Sequence, residues 1–257
     1  MQEILFEVKD SVGYITLNRP EKFNSFNREM ALQMQAALDE CKNETVRAVY
    51  ITGNGKAFSA GQDISELVGE NRIEIKQILS EHYNPIVTRI RKLDKPVVAA
   101  VNGVAAGAGA NIALCCDIVV AAQSASFIQA FSKIGLIPDS GGTFFLPRLI
   151  GWQKASALSM LGDKVSATDA EKMGMLYKVF PDETFPEESK KIALTLSQMP
   201  TEGLALTKQL LNMSFHSTFE EQLQEEDVFQ QRAAMTYDYN EGINAFLEKR
   251  QPVFKGK

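Results

Sequence analysis

Two segments of small residues carry the first chemical signal. Ala57-Phe58-Ser59-Ala60-Gly61-Gln62-Asp63 and Asn102-Gly103-Val104-Ala105-Ala106-Gly107-Ala108-Gly109-Ala110-Asn111 each follow a strand-like apolar stretch and open a stretch of helical pattern. Small residues let backbone approach a ligand closely. The first N–H groups of a helix lack intrahelical partners, and the helix dipole favours negative charge there. Two such turns side by side can aim two N–H groups at one oxygen, which is an oxyanion hole. Tight strand-to-helix packing also accounts for these residues, so the pairing needs independent support. Asp139, within Pro138-Asp139-Ser140-Gly141-Gly142, reads from its neighbours first as a helix N-cap, for which Asp before Ser-Gly-Gly-Thr is well suited, and only second as a carboxylate able to move a proton.

Other chemistries lose their signatures. The two histidines, His82 and His216, are not in metal-ligand spacing, and no Cys/His cluster supports zinc. Gly53-Asn54-Gly55-Lys56 lacks the upstream glycine of a phosphate loop, and the Gly103, Gly107, Gly109 spacing is wrong for a dinucleotide fingerprint. There is no Gly-x-Ser-x-Gly elbow. The three cysteines, Cys41 and the adjacent Cys115-Cys116, are odd in number and badly placed to bridge, which points to reduced thiols and a cytoplasmic setting. A net charge of −5 and no basic run longer than Lys249-Arg250 argue against nucleic acid.

These residues must be positioned by elements that the pattern outlines. The chain of 257 residues is 45% hydrophobic and 23% charged, enough to bury a large core without disulfides or metal. Ile4 to Val8 and Val12 to Leu17 read as a hairpin around Lys9-Asp10-Ser11. Asn27 caps a helix in which Met30, Met34, Leu38 and Cys41 recur at helical spacing. Strands follow at Arg47 to Thr52, Pro96 to Val101 and Ile118 to Ala122, and a further one at Phe127 to Phe131. Ile64 to Leu93 is helical in pattern with a break or kink at Asn84-Pro85. From Glu183 onward the pattern is helical only, over roughly 183–198, 201–215, 218–238 and 239–248. Strands alternating with helices and then helices alone predict an α/β body, residues 1–195, with a helical region over 196–257. The N-terminus has no signal-peptide pattern, and the apolar run Val97 to Val120 is too interrupted to span a membrane.

Several fragments, in fixed order and nearly end to end, resemble the enoyl-CoA hydratase/isomerase family, the crotonases. They are LNRPEKFNSFN (17–27), AFSAGQDI (57–64), KPVVAAVNGVAAGAGANIAL (95–114), FSKIGLIPDSGGTFFLPRLIG (131–151) and AFLEKRQPVFKGK (245–257). The resemblance implies a spiral of ββα units, a C-terminal helical trimerisation region, a homotrimer or dimer of trimers, and an acyl-CoA thioester substrate. It places the oxyanion donors on the backbone of Gln62 and Ala108, the pantetheine along Ala60, Gln62, Asp63 and Ile64, and the adenine near Phe23, with Asp63 better suited to structuring its turn than to touching the ligand. No metal or redox cofactor is implied, since coenzyme A arrives as part of the substrate.

The same resemblance decides between reactions. Hydratases of the family use two glutamates, whose positions here fall on Asn111 and Phe131. An amide and a phenyl ring cannot take a proton from water at neutral pH. Asp139 matches the aspartate of family members that work as isomerases or dehalogenases, and an apolar Phe131 beside it would raise its pKa. Asn111 is left to hydrogen-bond substrate, to orient Asp139, or to face solvent. The expected activity is therefore an acyl-CoA isomerase acting on a 3-enoyl-CoA or a ring-epoxide thioester. Enoyl-CoA hydratase is the first alternative, and a non-catalytic acyl-CoA-binding scaffold the second.

Overall fold

A computed structural model describes residues 2–70 and 72–257. The chain opens on the expected hairpin, β1 (Ile4–Lys9) running antiparallel to β2 (Val12–Leu17). Asp10 and Ser11 both turn at positive φ, 50° and 59°, the mirror-image geometry whose twist matches the flanking strands. Helix α1 (Arg28–Glu40) is capped as its sequence predicts: the Asn27 side chain accepts the Met30 N–H at 2.8 Å, and Met30, Met34 and Leu38 share the buried face.

A spiral follows. β3 (Ala48–Gly53) turns within three residues into β4 (Ala57–Ser59). The chain then passes through α2 (Ile75–Gln77), a wide turn at Ile78–Tyr83 and α3 (Asn84–Lys92) to β5 (Val97–Val101). β5 leads to β6 (Val104–Ala106), α4 (Ala108–Leu114), β7 (Ile118–Ala122) and β8 (Ser126–Ile128). Helices α5 (Gly142–Ile150) and α6 (Trp152–Leu161), strand β9 (Lys164–Ser166), helix α7 (Ala167–Lys172) and strand β10 (Lys178–Phe180) complete the body. One sheet has the order β1-β2-β3-β5-β7-β10 and the other β4-β6-β8-β9, so each ββ step hands the chain from the first sheet to the second. Every residue of β5 is buried, as expected of a central parallel strand covered on both faces.

The departures from the sequence reading have local causes. β4 and β6 were hidden inside the glycine segments because three residues carry no usable periodicity. The stretch read as helix from Ile64 contains a 3-10 turn at Ile64–Leu67, and the helix proper begins only at Ile75. The strand read at Phe127 to Phe131 stops at Ile128, and a 3-10 turn, Ala130–Ile134, carries Phe131 inward.

Four helices close the chain: α8 (Phe185–Gln198), α9 (Thr201–Met213), α10 (Phe219–Ala234) and α11 (Tyr237–Glu248). α8 lies on the larger sheet, where the Tyr50 and Ser189 hydroxyls meet at 2.9 Å. α9 is pinned by buried Lys208, whose Nζ donates to the Ile90 and Lys95 carbonyls at 2.7 and 3.0 Å and pairs with Asp117 at 2.8 Å. α10 and α11 leave Phe219, Leu223, Phe246 and Leu247 exposed. No helix among the described residues is long and apolar enough to cross a membrane.

The two glycine segments meet where α4 rests on β4. A Cβ on Gly109 would stand 2.6 Å from the Ser59 Cβ, Oγ and carbonyl oxygen. Gly109→Ala is therefore expected to destabilise the protein by about 1–3 kcal/mol, the usual cost of overpacking, measured by urea unfolding. A stability equal to wild type would show that α4 does not depend on this contact.

Candidate active site

A cavity of about 550 Å³ opens where the two small-residue turns face the Ile75–Asn84 segment and the loop from Ala130 to Thr143. Beyond β4 the first turn is held by α1's entry strand: the Phe26 N–H donates to the Gly61 carbonyl (2.6 Å) and the Asp63 N–H to the Phe26 carbonyl (2.8 Å). Gln62 lies between these bonds, and its own N–H has no partner among the described residues. Beyond β6 the Gly107 N–H donates to the Ile128 carbonyl (2.9 Å), and the first helical bond of α4 runs from the Asn111 N–H to the Gly107 carbonyl (3.1 Å). The Ala108 N–H is thus also unspent, as the first turn of a helix requires. A Cβ on Gly61 would fall 2.9 Å from the Ala106 carbonyl oxygen and 3.4 Å from the Ala108 nitrogen. The two turns are in backbone contact, and Gln62 and Ala108 line the same wall together with Ala60 and Ile64.

Phe131 and Asp139 line the same cavity. Phe131 is 6% exposed, and its ring tip lies about a van der Waals contact from the position a Cβ on Gly107 would take. Asp139 is the only carboxylate in the cavity wall among the described residues. Its carboxyl accepts the Ser140 hydroxyl at 2.8 Å. Burial nevertheless raises its pKa above the ordinary carboxylate value, the Ser140 bond offsetting only part of that. The N-cap alternative does not occur, because α5 has no side-chain cap and its N-cap residue is Gly141.

Three residues expected at the site stand off the cavity wall. Asn111 is 1% exposed and faces neither solvent nor cavity. Its Nδ2 donates to the Asp139 backbone carbonyl at 2.9 Å, while its Oδ1 accepts from Gln129 Nε2 at 2.8 Å. A Cβ on Gly142 would overlap that amide, 2.3 Å from Nδ2, so glycine there makes the contact possible. Asn111 therefore positions the Asp139 loop rather than touching the cavity contents. Asp63 is buried beneath the turn, paired with Arg19 at 3.0 Å and capping the 3-10 turn through the Ser65 N–H and hydroxyl. Burial pushes its pKa up, but the Ser65 and Arg19 bonds outweigh that and hold it below the usual value. Phe23 is 55% exposed in a left-handed turn, φ 51°, outside the cavity, with its carbonyl accepting the Ala60 N–H at 2.9 Å.

Sequence reading missed Tyr83. It lines the cavity at 1% exposure and donates its hydroxyl to Gln62 Oε1 at 2.8 Å. Burial, together with the charges of Asp139, Glu66 and Asp63, raises its pKa well above the ordinary phenol value. The only sequence signal for it was the break at Asn84-Pro85 immediately beyond. Ile78, Leu79, Leu136 and Ile137 add apolar lining, while Lys133 contributes to the rim.

The chain matches the family model described as "Enoyl-CoA hydratase/isomerase" over residues 7–257. It is 45% identical over 261 residues to the 1,2-epoxyphenylacetyl-CoA isomerase of Escherichia coli K12, with all of both chains covered. It is 39% identical to a protein of Rhodobacter capsulatus named "Probable enoyl-CoA hydratase", over 99% of this chain and 98% of that one. Among solved structures, the enoyl-CoA hydratase of Bacillus anthracis superposes with a TM-score of 0.95 at 32% identity, covering 100% of each chain.

The raised Asp139 pKa has a consequence for stability. The folded state holds this proton more tightly than the unfolded chain, so the neutral form stabilises the fold below the ordinary carboxylate range. That contribution is lost as pH rises through the raised value. Asp139→Asn is expected to melt at a higher temperature than wild type at neutral pH, with the gain shrinking as pH falls towards the ordinary carboxylate range. A melting difference independent of pH would contradict it.

Proposed function

Because the chain belongs to the enoyl-CoA hydratase/isomerase family, we propose that it is an acyl-CoA isomerase in which Asp139 moves a proton between two carbons of the acyl group. The observation that carries this reading is one cavity lined, among the described residues, by a single carboxylate together with the two residues whose N–H groups are unspent. The α-proton of a thioester is only weakly acidic, so its removal needs both a base and a place for the resulting charge. Asp139 takes the α-proton, the electron pair moves onto the thioester oxygen, and the Gln62 and Ala108 N–H groups stabilise that oxygen. Each such donor is worth about 3–4 kcal/mol. The protonated Asp139 then returns the proton further along the conjugated system, so no atom is gained or lost.

A raised pKa suits a group that must both accept and return a proton. On a 3-enoyl-CoA the outcome is the conjugated 2-enoyl-CoA. On a ring-epoxide thioester such as 1,2-epoxyphenylacetyl-CoA the C–C bond shared by the epoxide and the six-membered ring opens while the proton moves from the α-carbon to a ring carbon, giving the isomeric seven-membered oxepin. The likeness to the isomerase of that name supports this as the physiological substrate. The apolar lining from Phe131, Ile78, Leu79 and Leu136 suits a ring. The chemistry calls for no metal or redox cofactor, since coenzyme A enters with the substrate. The exposed apolar residues of α10 and α11 support assembly as a homotrimer or a dimer of trimers, and the reduced cysteines support a cytoplasmic setting.

Purified protein given a 3-enoyl-CoA is expected to produce conjugated thioester absorbance without change of mass, and Asp139→Asn to lose about 10²-fold or more of that rate. The wild-type rate should rise with pH along a limb lying above the ordinary carboxylate range. Addition of water to a 2-enoyl-CoA at comparable rates would instead favour the hydratase reaction. Tight thioester binding without turnover of either substrate would favour a binding scaffold.

A further inference from the structure

A chain of side-chain hydrogen bonds passes through Gln62 and Tyr83 of the cavity lining, and the proton transfer does not use it. Glu66 Oε1 accepts the Arg28 N–H at 2.9 Å, and its Oε2 accepts Gln62 Nε2 at 2.8 Å. The same Nε2 also reaches the Asp63 carbonyl at 3.3 Å. A carboxylate and a carbonyl can only accept, so the Gln62 amide must turn its nitrogen towards them and its oxygen towards Tyr83. Tyr83 is then obliged to donate, which it does at 2.8 Å. The residue gripped by this chain is the one whose backbone N–H is an oxyanion donor.

We propose that Tyr83 is a positioning residue for the oxyanion hole: pulling on Oε1 against Glu66, it holds Gln62 so that its N–H and that of Ala108 converge on the thioester oxygen. The proposal rests on the cavity being an enolate-stabilising site.

The placement of Tyr83 has an identifiable origin. Pro85 has no N–H to offer the Glu81 carbonyl four residues before it, and its ring crowds that carbonyl. The helix widens there instead, the Asn84 N–H donating to the Leu79 carbonyl five residues back. The stranded Glu81 carbonyl is taken by Gln35 Nε2 of α1 at 2.6 Å. In a regular helix the stripe Ile75, Ile78, Leu79 would continue to position 82. The extra residue of the wide turn removes His82 from the cavity wall and puts Tyr83 there. The Tyr83 ring packs edge-on against Phe26, 6.1 Å between centroids, and Phe26 is the residue whose backbone brackets Gln62. Ring and hydroxyl thus act on one turn. A phenol pKa held well above 10 keeps the hydroxyl a donor throughout the neutral range.

A bound thioester carbonyl reports on the hole without turnover. 2,4-Hexadienoyl-CoA bound to wild-type protein is expected to show a red-shifted absorbance and a lowered C=O stretch in ¹³C-edited Raman difference spectra. Tyr83→Phe keeps the ring, so affinity should stay within about two-fold, while the carbonyl shift weakens and isomerase kcat falls by about ten-fold at unchanged KM, a fraction of what losing a whole donor costs. Gln62→Met, which keeps the backbone donor, should do the same. The double variant should be no worse than Gln62→Met alone, because that change already removes the Tyr83 bond along with those to Glu66 and the Asp63 carbonyl. A full carbonyl shift and wild-type kcat in Tyr83→Phe would overturn the proposal. So would reduced affinity with an unchanged carbonyl frequency, which would assign Tyr83 to shape alone. An unshifted carbonyl in wild-type protein would overturn the enolate-site reading itself, and the proposal with it.

Discussion

The site depends on how closely two pieces of backbone approach each other. The turn after β4 and the turn after β6 touch through Gly61 and the Ala106 carbonyl, and α4 lies on β4 with no room for a side chain at Gly109. That contact places two N–H groups with no partner in one wall, whereas buried N–H groups are ordinarily paired. The sheets exist in this arrangement because each short strand of the second sheet leaves the first at a corner, and consecutive corners stack. Both N–H groups belong to the backbone, so the residue type at 62 and 108 matters only through its effect on where that backbone lies.

A second constraint fixes the carboxylate. Asp139 immediately precedes a left-handed residue pair, Ser140 at φ 52° and Gly141 at φ 79°. Asn111 supplies the anchor by donating to the Asp139 carbonyl, and Gln129 fixes the orientation of the Asn111 amide by donating to its oxygen. A glutamate at 111 could not donate in its ionised form, so the amide is what lets this position hold the Asp139 loop.

Much of this was legible in the residues. Asn27 announced α1, Asp10-Ser11 the hairpin turn, and the unbroken apolar run at β5 a strand buried on both faces. The two glycine segments and Asp139 stood out because chemistry needs small residues and a carboxylate in such places. Less was legible where a role depends on a distant partner. Nothing near Asn111 in the sequence points to a carbonyl 28 positions later. Tyr83 was hidden because a proline break shows that a helix is disturbed without showing which residue the disturbance rotates into view. Asp63 structures its turn, as its place in the sequence favoured, but the Arg19 partner that completes this role lies 44 positions away and was not legible.

The parallel pairing of β4 with β6 has a kinetic meaning as well. The two strands lie more than 40 residues apart in the chain, Ala57 opposite Val104, and contacts between distant segments form late because closing the intervening loop costs entropy first. Helices such as α1 and α10 can gain structure from their own caps long before that. The pair of unspent N–H groups at Gln62 and Ala108, by contrast, does not come together until the two strands have docked. A nascent or refolding chain therefore passes through states rich in helix yet chemically silent, and the appearance of activity marks the closing of the spiral.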